Sequence, residues 1–89
     1  MRLNNRFRLD VVAGEYMLLD TMAGTVNLNR VFSMNEAAAW LWRQIGDREF
    51  DEQMLVRMIC SEYGVSSDVA GSDVAKMVRL WREFGMLLQ

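Results

Sequence analysis

Side-chain catalysis has little to work with in this chain. It contains no histidine, which removes the commonest general base, the serine–histidine arrangements and most zinc sites. Its single cysteine, Cys60, allows no intrachain disulfide and no multi-cysteine metal site. The neighbours Met58, Ile59 and Tyr63 point to a buried thiol that behaves as a small hydrophobe. Serine, aspartate and glutamate are plentiful, but no glycine-rich phosphate loop accompanies them. The expectation is a protein without catalytic residues, metal or cofactor. What remains is the chemistry of the backbone. In residues 25–32 (TVNLNRVF), Val26, Leu28, Arg30 and Phe32 alternate with Asn27, Asn29 and Val31, the period-two pattern of a half-buried strand. No proline there removes a hydrogen-bond donor, and Arg30 is the only charge, so no lysine guards the strand. An exposed strand edge is a row of unpaired N–H and C=O groups on which another strand can form. Asn27 and Asn29 are poor strand formers, so the plain alternative is an ordinary edge with two solvated asparagines.

The elements around this segment follow from local signals. Residues 1–6 are polar and expected to be loosely held. Residues 7–13 (FRLDVVA) read as a first strand, Gly14-Glu15 as a turn, and residues 15–20 (EYMLLD) as a second strand. Residues 20–24 form a longer turn in which Gly24 is free to take positive φ. With 25–32 as the third strand, the three make an antiparallel meander. Ser33-Met34-Asn35-Glu36 has the S-x-x-E spacing of a capping box, so a helix is predicted over 36–45. It carries Trp40 and Leu41 inward. Residues 46–49 connect to a second helix, with Phe50 as a staple, Asp51 as N-cap and Gly64 as the stop after Tyr63. Residues 65–68 cap a third helix that runs to about Phe84 despite Gly71. Gly85 ends it, and the apolar tail Met86-Leu87-Leu88 should pack back on the core.

The order β-β-β-α-α-α predicts an α+β domain, winged-helix-like, with helices on one face of a small sheet. Eighty-nine residues make one domain, 1–89, whose core must be apolar-rich, and 52% hydrophobic residues with three tryptophans supply it. Trp40 and Trp81 are assigned to the core, and the eight methionines chiefly fill gaps. Trp42, on a different helix face from Trp40, is expected to be partly exposed and available to a partner enzyme.

Ten basic against 12 acidic residues, net −2, give no reason to expect nucleic acid as a partner. The basic start of the chain leads into no apolar signal segment, and the longest apolar run, residues 37–42, is far short of a membrane span. A soluble cytoplasmic protein is expected. On the third helix, at ~100° per residue, Val74, Met77, Val78 and Trp81 form one stripe. Leu80 and Phe84 widen that arc on one flank, beside Asp73, as a groove wall would require. Alternatively they cover the tail or the sheet. Lys76 and Arg79 are ordinary solvated charges, or a basic rim that steers an acidic peptide.

Residues 14–20 (GEYMLLD), 29–42 (NRVFSMNEAAAWLW), 50–65 (FDEQMLVRMICSEYGV) and 72–88 (SDVAKMVRLWREFGMLL), in that order and spacing, resemble the PqqD-like family. The resemblance covers nearly the whole chain and departs at Met34 and Met86, where the family commonly has leucine; both are size-conserving apolar changes. It implies a winged-helix domain that binds the leader segment of a ribosomally made precursor peptide as an extra strand. That strand would lie beside the third strand, along Val26, Asn27, Leu28, Asn29, Arg30, Val31 and Phe32, and against Asp73, Lys76, Met77, Leu80 and Phe84 of the last helix. The module would be non-catalytic and would present the peptide to a modifying enzyme, often a radical S-adenosylmethionine enzyme.

The alternative is a winged-helix DNA-binding protein reading the major groove with residues 69–84, with Arg57, Lys76, Arg79 and Arg82 on phosphates. Acidic Asp68, Asp73 and Glu83 on the same helix weigh against it. A subunit that binds only its partner enzyme predicts the same free edge. So does a homodimer formed by edges pairing with each other.

Overall fold

The computed structural model describes residues 1–21 and 31–88. Its elements are β1 (Arg2–Leu3), β2 (Phe7–Val12), β3 (Glu15–Asp20), β4 (Val31–Met34), α1 (Glu36–Ile45), α2 (Glu52–Tyr63), α3 (Ser67–Glu83) and β5 (Leu87–Leu88). β2, β3 and β4 form an antiparallel sheet in that order. β2 and β3 are joined by Ala13-Gly14, both at positive φ (52° and 80°), the twist that a two-residue hairpin turn needs. Alternation places Phe7, Leu9, Leu18, Phe32 and Met34 on one face of this sheet, and Phe7 and Leu18 are buried under the helices. The α+β, winged-helix-like architecture is the one the sequence predicts.

The junction between β4 and α1 differs in detail. β4 continues through Ser33 and Met34, which sit opposite Met17 and Tyr16 of β3. Ser33 is therefore held extended by the ladder and cannot cap the helix. Asn35 does so instead: its Oδ1 accepts from the Ala38 N–H at 2.8 Å, and the capping box of Ser33 with Glu36 does not form. Of the segment read as the third strand, only Val31 and Phe32 fall among the described residues.

The other caps follow the sequence. Asp51 Oδ1 accepts from the Met54 N–H at 2.8 Å, and Ser66 Oγ accepts from the Val69 N–H at 3.3 Å. Gly64 closes α2 in the left-handed conformation at φ 66°.

Residues 1–6 are tied down rather than loose. β1 pairs with β5, Leu3 is buried, and the Asn4 N–H donates to the Met86 carbonyl at 2.8 Å. The Phe50 N–H donates to the Met1 carbonyl at 2.8 Å. Arg6 reaches the end of β3, donating to both carboxylate oxygens of Asp20 at 2.9 and 2.7 Å. That hydrogen bonding raises the Arg6 guanidinium pKa further above its ordinary value, against the opposing effect of desolvation. The polar composition gives little sign of this, because only Leu3 and Met1 supply apolar anchors and backbone pairing does the rest.

The tryptophans exchange the roles read from the sequence. Trp42 shares the inward stripe of α1 with Ala38, Leu41 and Ile45, and its ring meets Trp81 edge-on at 5.2 Å. Trp40 lies on the stripe of Glu36 and Arg43, half-buried against Tyr63. Cys60 is likewise half-buried rather than fully enclosed. Among the described residues no helix is long and apolar enough to cross a membrane.

Trp42→Ala should cost about 3–5 kcal/mol in denaturant unfolding and Trp40→Ala roughly 1–2 kcal/mol. The reverse ranking would contradict this core. Asn35→Ala should cost about 1 kcal/mol, whereas Ser33→Ala should change stability by less than about 0.5 kcal/mol, measured the same way.

Candidate functional site

β4 is hydrogen-bonded to β3 along one flank, and among the described residues no strand pairs with the other. Across that free flank stands α3. Between them lies a groove of about 480 Å³. Phe32 and Met34 of β4 form one wall, Met77, Leu80 and Phe84 of α3 the other, and Ala37, Ala38 and Ile59 contribute to its floor. At one end the Phe32 and Phe84 rings meet at 4.9 Å. Asp73 and Lys76, two to three turns back along α3, line the far end together with Asn35.

Each wall has a local cause. The ladder to β3 fixes which β4 side chains enter: Phe32 and Met34 point towards the helices, while Val31 and Ser33 point to the opposite sheet face. On α3, Val74, Val78 and Trp81 are buried in the core, so the flank one step round the helix projects into the groove. Leu80 and Phe84 there are 51% and 42% exposed, unusual for side chains of their size. The alanines of α1 leave the space open. Ala37 is half-buried and Ala38 buried, and larger residues there would fill the floor.

The groove thus brings together Phe32, Asp73, Lys76, Met77, Leu80 and Phe84 from the residues singled out in the sequence. Val31 stands on the same edge strand but on its other face. Val26, Asn27, Leu28, Asn29 and Arg30 lie outside the described residues. Sequence reading missed Met34, Ala37 and Ile59. Met34 was within reach, since it continues the alternation of Phe32 by two residues; treating Ser33 as a cap cut the strand short. Ile59 carries no local signal, because its place depends on how α2 packs against α3.

The chemistry of the site is that of an apolar cleft beside a strand flank that, among the described residues, no other strand pairs. Its rim charges, Asp73 and Lys76, sit one turn apart on exposed positions of α3. Such a cleft can take alternate side chains of an extended segment while the edge supplies hydrogen bonds.

Residues 7–87 match the family model of coenzyme PQQ synthesis protein D (PqqD). The chain belongs to the PqqD family. Two solved structures share its fold. TbiB1 in complex with the TbiA(beta) leader peptide is 21% identical, with a TM-score of 0.70 over 98% of this chain and 94% of that one. Lasso peptide synthetase B1 complexed with the leader peptide is 24% identical, with a TM-score of 0.70 over 99% of this chain and 96% of that one. No curated protein matches the chain. Membership of the PqqD family and the shared fold agree with the resemblance carried by residues 14–88.

Proposed function

We propose that this PqqD-family chain is a non-catalytic peptide-binding module. It captures the leader segment of a ribosomally made precursor as an added strand on β4 and holds it for a separate modifying enzyme, of the radical S-adenosylmethionine type in many such systems. The observation that carries this reading is the free flank of β4 facing an apolar groove on α3. Main-chain pairing gives affinity largely independent of sequence, and the groove selects the side chains that point inward. Its volume of about 480 Å³ lies within the range of ligand-binding clefts. The two structural neighbours, each solved with a leader peptide, support the assignment of the occupant.

The reading is tested by isothermal titration with synthetic leader peptides taken from any short precursor-like reading frames found beside this gene. Saturable one-to-one binding is expected. Leu80→Asp places a carboxylate in the apolar wall and should weaken binding at least about tenfold. Because Leu80 is half-exposed, the same variant should unfold within about 0.5 kcal/mol of the parent. A leader that fails to bind the chain, alone or with the modifying enzyme, would overturn the proposal.

A further inference from the structure

β4 presents two faces, and only one of them belongs to the groove. Phe32 and Met34 face the helices, whereas Val31 and Ser33 face outward with their neighbours on β3 and β2. Across the sheet the outward rows read Arg8–Leu19–Val31 and Asp10–Met17–Ser33. Met17 and Leu19 are half-buried, yet neither belongs to the hydrophobic core under the helices. Val31, at the β4 end of its row, is 38% exposed.

The two outer strands of the sheet end these rows differently. On β2, Arg8 Nη2 lies 3.0 Å from Asp10 Oδ2, so the rows finish in an ion pair whose charges answer each other. Charged side chains of this kind keep an edge strand from pairing with another chain. β4 carries no charge from Val31 to Met34. A strand added to β4 becomes the next member of both rows. Its side chains alternate, so those between the groove-facing ones stand on the outer face beside Val31 and Ser33. Directly opposite residues on one sheet face have Cβ atoms about 5 Å apart, close enough for their side chains to pack. The outer row meets the pairing edge itself, so its occupant is the added strand's own outward side chain.

On the reading that a peptide strand adds to β4, we infer that the peptide is read on both faces of the sheet. The side chain set beside Val31 is β-branched or aromatic and packs on the outer row of Val31 and Leu19. Beside Ser33 the row is polar at its edge and makes no such demand. The segment recognised here therefore carries apolar residues at two consecutive positions, one turned into the groove and the next onto the outer face. A groove read on one side alone would ask for every second position only.

The test uses a synthetic leader peptide from a precursor-like reading frame beside this gene, titrated into the wild-type chain and into Val31→Lys. Each residue of the pairing segment is replaced in turn by glutamate. Val31→Lys should raise Kd for the native leader about fivefold, and the milder Val31→Thr about twofold. At one leader position, glutamate should weaken binding to the wild type about fivefold yet restore binding to Val31→Lys, because opposite charges then face each other across the two strands. The position next to it in sequence should be one where glutamate weakens binding to both proteins. Equal binding of the native leader by wild type and Val31→Lys would overturn this subsite and leave peptide capture in the groove standing. So would the absence of any rescuing position, or rescue spread evenly over all of them. A Val31→Lys chain that binds the leader as the wild type does but loses its hold on the modifying enzyme would also overturn it, assigning the outer face to that enzyme. A leader that does not bind the wild type, with or without the enzyme, ends both readings.

Discussion

Backbone N–H and C=O groups must find partners, and the position of β4 decides how this molecule meets that demand. Along one flank β4 is paired with β3 from Val31 to Met34. Along the other it faces α3 across the groove, with Phe84 reaching Phe32 at one end. α3 cannot settle onto the strand, because Val74, Val78 and Trp81 are committed to the core and Trp81 is pinned edge-on by Trp42. The small side chains of Ala37 and Ala38 prevent α1 from filling the space. An open strand edge and an apolar trough thus arise from the same packing.

The rest of the fold holds that arrangement still. The Ala13-Gly14 turn sets the register of β2 on β3, which in turn sets the register of β4 and so which side chains enter the groove. The Arg6–Asp20 pair fastens the segment before β2 to the end of β3, where the Thr21 N–H also donates to the Arg6 carbonyl at 2.8 Å. β1 and β5 join the two ends of the described chain, and Leu3, Met86 and Leu87 are buried in the core there. Asn35 lets the chain pass from strand to helix without a loop, so α1 begins immediately beside the groove.

Local signals made most elements legible. Asp51, Ser66 and Gly64 mark helix ends through side-chain oxygens and a left-handed turn that need only nearby backbone, and the helices fall where those residues predict. The widened flank of α3 at Leu80 and Phe84 was readable because helical geometry converts spacing into direction. Three features were not. Two side chains could cap α1, and the choice of Asn35 over Ser33 was made by the ladder to β3, which sequence spacing does not contain. Whether Trp40 or Trp42 faces inward depends on which stripe of α1 meets α3, and both stripes carry a large aromatic residue. The anchoring of residues 1–6 comes from partners far along the chain, Asp20, Phe50 and the strand Leu87–Leu88, for which local composition offers no sign.

The account stands or falls on the backbone of β4. Hydrogen exchange of the amides from Val31 to Met34, followed by mass spectrometry or NMR with and without the leader peptide, probes it most directly. Amides on the free flank should exchange readily in the unbound chain and become protected by at least about tenfold when the leader binds, together with shifts at Met77, Leu80 and Phe84. Leader binding that leaves β4 exchange unchanged, with protection confined to another surface, would contradict strand addition at this edge.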